Sequence, residues 1–270
     1  MRSGRLTPFV AAAAAALAVL GLDGCSGGNN SIGPSGNSTS RVRAFNGLQG
    51  CANNIDVEQL NVMPVGFTNL PYAAIPGGYT SLRAGNGLHY AIFPTGQMTG
   101  AVALADIDLL THDPSGNANA GTYTLAAAGI CSITSGATAP HLVRLQDAFP
   151  FTFTGNNAGT VGLRVINLVP DLNGGVNLAS NAASLHGSDD AGTSSVQYAG
   201  NGGLDSSHYN SGINLSGSTQ LTIRTNANAV LATVPNFNFA PNHAYTLFVV
   251  GEANPTAGGQ PITVVPVQDF

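Results

Sequence analysis

Few side chains in this sequence combine the type and the spacing that chemistry needs. Asp106 and Asp108 alternate along an apolar run, so on a strand they share one face, where two carboxylates could act as general acid and base. The same spacing suits a solvent-facing strand edge, which is the simpler reading. His186, Ser188 and Asp189 are the residue types of a nucleophilic triad, but neighbours in one polar loop are not the spatial arrangement that activates a serine. No Gly-x-Ser-x-Gly elbow and no His-Glu-x-x-His zinc pattern is present. His89 and His243 sit in or beside strands, where a histidine satisfied by its surroundings is expected.

Asp113, Asn117 and Asn119 lie in a run with oxygen-bearing side chains at alternate positions, which superficially resembles a calcium loop. The glycine expected at its sixth position is missing and only Asp113 is charged, so the stretch reads as a turn first and as a weak calcium candidate second. Three cysteines remain. Cys51 and Cys131 are a default disulfide in an oxidising compartment, with two free thiols or a metal site as the alternatives. Cys25 belongs to a different context, the end of an export signal. No cofactor-binding pattern is found, and none is expected.

The N-terminus supplies that context. Arg2 and Arg5 precede an apolar run from Phe9 to Leu22, too short to span a bilayer comfortably. It ends in Leu22-Asp23-Gly24-Cys25, which resembles the lipobox of bacterial lipoproteins, with Asp23 as the departure from the usual small uncharged residue. The expectation is a lipid-anchored envelope protein with Cys25 as the acylated residue; a signal peptide cut after Ala18, giving a secreted or periplasmic soluble protein, is the alternative. Residues 26 to 40 are rich in Gly, Ser and Asn and read as a flexible tether with a reach of about 20 Å.

The elements that must position any site follow from a long repeat. Arg43 and Asn46 recur as Arg164 and Asn167, 121 residues on, and Ile55-Asp56-Val57 recurs as Val176-Asn177-Leu178 at the same offset. Tyr123-Thr124-Leu125 recurs as Tyr245-Thr246-Leu247, and Gln146-Asp147 as Gln268-Asp269, both at 122. So long a period means two domains, each with its own core. The expected division of the 270 residues is a signal at 1–25, a tether at 26–40, a first domain at 41–149, a linker or interdomain strand at 150–161 and a second domain at 162–270.

Within each domain, short runs of period-two apolar residues alternate with turn clusters such as Pro76-Gly77-Gly78 and Gly85-Asn86-Gly87. Strands are expected at 41–46, 54–60, 79–84, 88–93, 101–109, 123–128 and 141–146 in the first domain. In the second they fall at 163–168, 175–178, 194–198, 212–215, 220–225, 230–234, 244–250 and 262–267. No helical period appears outside the leader. The fold class is all-β: two tandem immunoglobulin-like β-sandwich domains.

Composition narrows the partners. Charged residues make up 8% of the chain, there is no Lys or Trp, and no basic patch follows the leader. Nucleic acid is therefore not an expected partner, because phosphate binding needs clustered cations.

With these patterns in view, the chain resembles the bacterial domain of unknown function 4397 family. The resemblance rests on the Arg-bearing opening strand and the strand after it, Arg43 to Val57 and Arg164 to Leu178. It rests also on the middle Tyr followed by a Gly turn, Tyr79 to Ile92 and more loosely Tyr209 to Ile223, and on the Tyr-Thr-Leu strand of each copy. Members are exported, often lipid-anchored, and usually carry the domain in tandem. The resemblance implies a sandwich fold and an envelope location, and brings no catalytic residues. The expected role is non-catalytic: surface binding, adhesion or structure, with the membrane engaged through the lipid and an envelope glycan or protein as partner. A secreted polysaccharide hydrolase, or a periplasmic partner of an assembly or secretion machine, are the alternatives.

Overall fold

The computed structural model describes residues 39–52, 54–59, 65–83, 89–97, 105–108, 121–147, 152–180, 183–184, 195–198, 210–215, 220–234, 237–255 and 258–269. The first domain contributes β1 (Thr39–Asn46), β2 (Ile55–Gln59), β3 (Val65–Leu70), β4 (Thr80–Arg83), β5 (His89–Pro94), β6 (Ala105–Asp108), β7 (Thr122–Ala128) and β8 (His141–Gln146). The second contributes β9 (Val161–Asn167), β10 (Val176–Ser180), β11 (Ala183–Ser184), β12 (Asn210–Ile213), β13 (Leu221–Thr225), β14 (Val230–Thr233), β15 (Ala244–Val250) and β16 (Thr263–Gln268).

The sheets reproduce the sequence repeat. In the first domain the strand orders are β4-β1-β7-β8 and β3-β2-β5-β6; in the second they are β12-β9-β15-β16 and β11-β10-β13-β14. Raising every strand number by eight converts one domain into the other. Each opening strand runs parallel to the Tyr-Thr-Leu strand, and the register is preserved: Arg43 lies opposite Thr124, and Arg164 opposite Thr246. The chain is thus all-β, with two tandem sandwiches as the residue pattern implies.

Each sandwich has a core between its two sheets. Val42, Ala44, Ile55, Val57, Tyr90, Ile92 and Leu125 fill the first; Leu163, Val165, Val176, Leu178, Ile223, Tyr245 and Leu247 fill the second. These residues alternate along their strands, and the alternation is what places them inward. In the second domain the Tyr245 hydroxyl accepts from the backbone N–H of Ala240 at 2.7 Å, fixing the turn that leads into β15.

The structure departs from the expected elements at several places, among them the two-residue strand β11, which falls in none of the expected strands. Strand β3 is not among the expected strands, because Gly66 interrupts its alternation; an ideal Cβ there would lie 2.5 Å from the backbone carbonyl oxygen of Val57 on the paired strand, and against the Glu58 carboxylate, so glycine is required. The expected strand over 194–198 is reduced, among the described residues, to isolated bridges from Val196 to Val176 and from Tyr198 to Asn167. The 150–161 segment, expected as a linker or an interdomain strand, holds a single 3-10 turn at Gly155–Asn157 among its described residues, and β9 begins at its last residue, Val161.

Cys51 and Cys131 form a disulfide, with Cα atoms 5.2 Å apart and a separation of 80 positions in the sequence. It packs against the first core and joins the turn after β1 to the turn after β7. Closing so long a loop restricts the unfolded chain, so reduction is expected to remove about 3 to 4 kcal/mol of stability. Urea unfolding with and without a reductant, followed alongside thiol titration, measures this; a change below about 1 kcal/mol contradicts it.

Candidate functional site

The sequence-derived site candidates divide sharply. Cys25, the calcium candidates Asp113, Asn117 and Asn119, and the loop residues His186, Ser188 and Asp189 lie outside the described residues. Asp106 and Asp108 fall on β6, opposite Ala91 and His89 of β5, so their backbone positions do share one sheet face. His243 lies in a turn, with Nδ1 2.8 Å from the carbonyl oxygen of Pro241. No group of three or more potential metal-ligating side chains occurs among the described residues.

Among the described residues, the most concentrated polar chemistry lies where the two domains meet. Both faces of sheets β4-β1-β7-β8 and β12-β9-β15-β16 are covered: one face by its own sandwich core, the other by the partner domain. Phe45, Ala126, Val143 and Leu145 pack on Ile166, Leu168, Tyr198, Phe248 and Val250 in a third apolar cluster. The rings of Phe45 and Phe248 stack with centroids 4.1 Å apart. Double coverage explains why β7 and β15 read as nearly unbroken apolar runs, Tyr-Thr-Leu-Ala-Ala-Ala and Tyr-Thr-Leu-Phe-Val-Val.

The repeated arginines and aspartates are exchanged across this seam. Arg43 donates from Nε to Thr124 Oγ1 at 2.8 Å in its own repeat, and from the guanidinium ends to the Gln268 carbonyl at 3.2 Å and to Asp269 in the other repeat. Arg164 mirrors it: Nε to Thr246 Oγ1 at 2.6 Å, then the Gln146 carbonyl at 2.9 Å and Asp147. Each threonine passes the polarity on, Thr124 donating to Asp147 at 2.6 Å and Thr246 to Asp269 at 2.7 Å. All six side chains are buried. The forked guanidinium is suited to this geometry, since it meets a hydroxyl, a carbonyl and a carboxylate at once.

Tyr79 adds to the arrangement on the side of the first repeat. Its hydroxyl donates to Asp147 at 2.9 Å, and the guanidinium groups of Arg43 and Arg41 lie 4.7 and 5.0 Å from its ring centroid. Burial, and then the neighbouring Asp147, push its hydroxyl above the ordinary tyrosine range. Burial also raises the Asp269 carboxyl, against the downward pull of Arg164 and Arg43. These groups hold one another, and the cluster is a structural fastening with every carboxylate oxygen engaged by a protein donor.

A second polar feature lies farther along the same seam. A cavity of about 180 Å³ is lined by Gln49, Asn54 and Tyr72 of the first domain and by Gly258 and Gln260 of the second. Sequence reasoning missed both features. The signal for the first was present: two arginines inside apolar strands and two aspartates just past the ends of strands, recurring at the repeat offset in a chain with only eight basic residues. The second had no sequence signal, because it joins a glutamine after β1 to a loop more than 200 positions away.

Fold and seam together define a two-domain β-sandwich protein. No family model matches the chain, and no curated protein matches it. Among solved structures the chain is similar to one described as "a putative cell adhesion protein from Bacteroides eggerthii DSM 20697", at 13% identity over 87% of this chain and 97% of that one, with a TM-score of 0.18. A likeness that slight carries no argument about function.

Proposed function

We propose that this chain is a non-catalytic, lipid-anchored protein of the bacterial cell envelope, which acts by binding with the surface of two coupled β-sandwiches. The observation that carries the reading is the reciprocal exchange of Arg43 with Asp269 and Arg164 with Asp147. It occupies buried ionisable groups of the kind that catalysis would use. A polysaccharide hydrolase needs two carboxylates flanking an open cleft; Asp147 and Asp269 instead accept from arginine and threonine in the interior. The exchange also joins two scaffolds into one support for their loops, which suits recognition. The leader ending at Cys25 and the tether after it supply the anchor, and the resemblance to the 4397 family belongs to the same reading.

The test uses cells producing the full chain. Fatty-acid label is expected in the wild-type protein and not in Cys25→Ser, with the wild type sedimenting with envelope membranes. Solubilised protein is then expected to bind an envelope polysaccharide or protein fraction saturably and leave its polymer length unchanged. Absence of label, or depolymerisation of the bound fraction, overturns the proposal.

A further inference from the structure

The reciprocal seam relates the two domains as near-equivalent partners, so places where the two halves differ stand out. Tyr72 and Tyr198 are equivalent residues. Each follows by two positions the carbonyl that accepts from the asparagine ending the opening strand: Leu70 from Asn46 at 3.0 Å, and Val196 from Asn167 at 3.2 Å. Both tyrosines pack into the interdomain apolar cluster. Tyr198 closes its end of the seam, 6% exposed and set edge-on to His141 with centroids 5.8 Å apart. Tyr72 leaves its end open, and the 180 Å³ cavity is the result.

Two residues at this end of the seam differ between the repeats, and one of them, Gln49, lines the cavity. By the offsets of the repeat, Gln49 stands where the second domain has Pro170, and Glu252 where the first has Ile130. Gln49 is fully buried; its amide donates to the Gly47 carbonyl at 3.2 Å and to the Tyr72 hydroxyl at 2.6 Å, while its Oε1 has no partner. Its backbone is fixed on both sides, by N–H to Gly129 and by its carbonyl to the N–H of Cys131, with the disulfide two residues further on. Across the seam, Glu252 donates its N–H to the Gln260 carbonyl at 2.8 Å, and its carboxylate lies against Gly259, where an ideal Cβ would be 2.6 Å from it. Asp171 holds the start of the same loop by accepting from the N–H groups of Ala253 and Asn254.

We propose that this cavity binds a single neutral, hydroxyl-rich ring: one saccharide residue of an envelope glycan. The inference rests on the surface-binding reading above and names its site and ligand class. The volume is below the roughly 300 Å³ at which pockets for drug-sized ligands begin, so one ring is the appropriate size. Its polar groups are amides and a phenol, which both donate and accept and therefore match hydroxyls. The Tyr72 hydroxyl accepts from Gln49 and keeps its own proton to donate, Asn54 and the exposed Gln260 offer further amides, and the unsatisfied Gln49 Oε1 awaits a donor. No cation lines the cavity among the described residues, and the Glu252 carboxylate lies against Gly259, between the lining residues Gly258 and Gln260. An anionic sugar is thereby disfavoured.

The test is ligand-observed saturation-transfer NMR on the full chain in detergent, with methyl glucoside, methyl galactoside, methyl N-acetylglucosaminide and glucuronate as probes. At least one neutral probe is expected to saturate with a Kd on the order of 1 mM, and glucuronate to bind more weakly. Gln260→Ala, at an exposed position, and Tyr72→Phe, which keeps the ring, are each expected to weaken binding about three- to tenfold. No saturable neutral probe, glucuronate binding as well as the neutral sugars, or affinities unchanged in both variants would each overturn the site. Persistent envelope binding by those variants discards the cavity alone; failure of the wild type to bind any envelope fraction discards the parent reading.

Discussion

Replacing Arg164 by alanine is expected to destabilise the protein by about 3 to 5 kcal/mol, the largest effect of any single substitution considered. The side chain is 1% exposed and holds Asp147, Thr246 and the Gln146 carbonyl together. Removing it strands a carboxylate in the interior, and the cost of that uncompensated charge exceeds the worth of the ion pair itself. The paired variant Arg164→Met with Asp147→Leu is accordingly expected to recover much of the loss, since both charges are then gone. Urea unfolding of the two variants and the wild type separates the effects. A cost under 1 kcal/mol for Arg164→Ala would mean that water reaches the seam.

Alkaline pH is expected to unfold the protein steeply, through tyrosines whose hydroxyls are buried. Burial raises Tyr90 and Tyr198 above the ordinary value of 10.0, and the half-buried Tyr79 is raised as well. Between that value and the raised ones, the unfolded chain releases protons that the folded chain keeps. The unfolded state then binds fewer protons, so stability is fully present below pH 10 and declines as pH rises toward the folded values. The two buried groups alone give a slope of about 3 kcal/mol per pH unit, and Tyr79 adds to it. Urea midpoints at pH 9, 10.5 and 11.5 measure it, and Tyr198→Phe is expected to lower the slope by about 1.4 kcal/mol per pH unit. A flat profile through pH 11 would show that these hydroxyls are not buried against solvent.

How much of this was legible depends on whether a feature is local. The strand at Ala244–Val250 was readable because its residues and its bounding turn, Asn242-His243, lie together in the chain. The repeat offsets were readable too, and they carry real structure: Asn46 and Asn167 each cap the end of an opening strand by accepting from the N–H two residues on, at 3.1 Å in both domains. Gly129 and Gly251, 122 residues apart, both adopt positive φ where a Cβ would strike backbone, at Ala139 and Pro261. β3 escaped because the glycine it needs against the Val57 carbonyl is the residue that usually argues against a strand.

The candidate chemistry fared differently. Adjacent residues such as Ser188 and Asp189 attract attention in a sequence, yet the polar groups that the fold gathers are Arg43 with Asp269, 226 positions apart, and Gln49 with Gln260. By itself the sequence determined the all-β class, the two repeats and the strand register, because alternation and turn chemistry act over a few residues. It also set which arginines and aspartates recur. Only the tertiary structure decided that each arginine is satisfied by the other domain, and that one end of the seam closes on His141 while the other stays open at Tyr72. Those outcomes depend on how two whole sheets pack face to face, and no local pattern encodes the pairing of residues that only packing brings together.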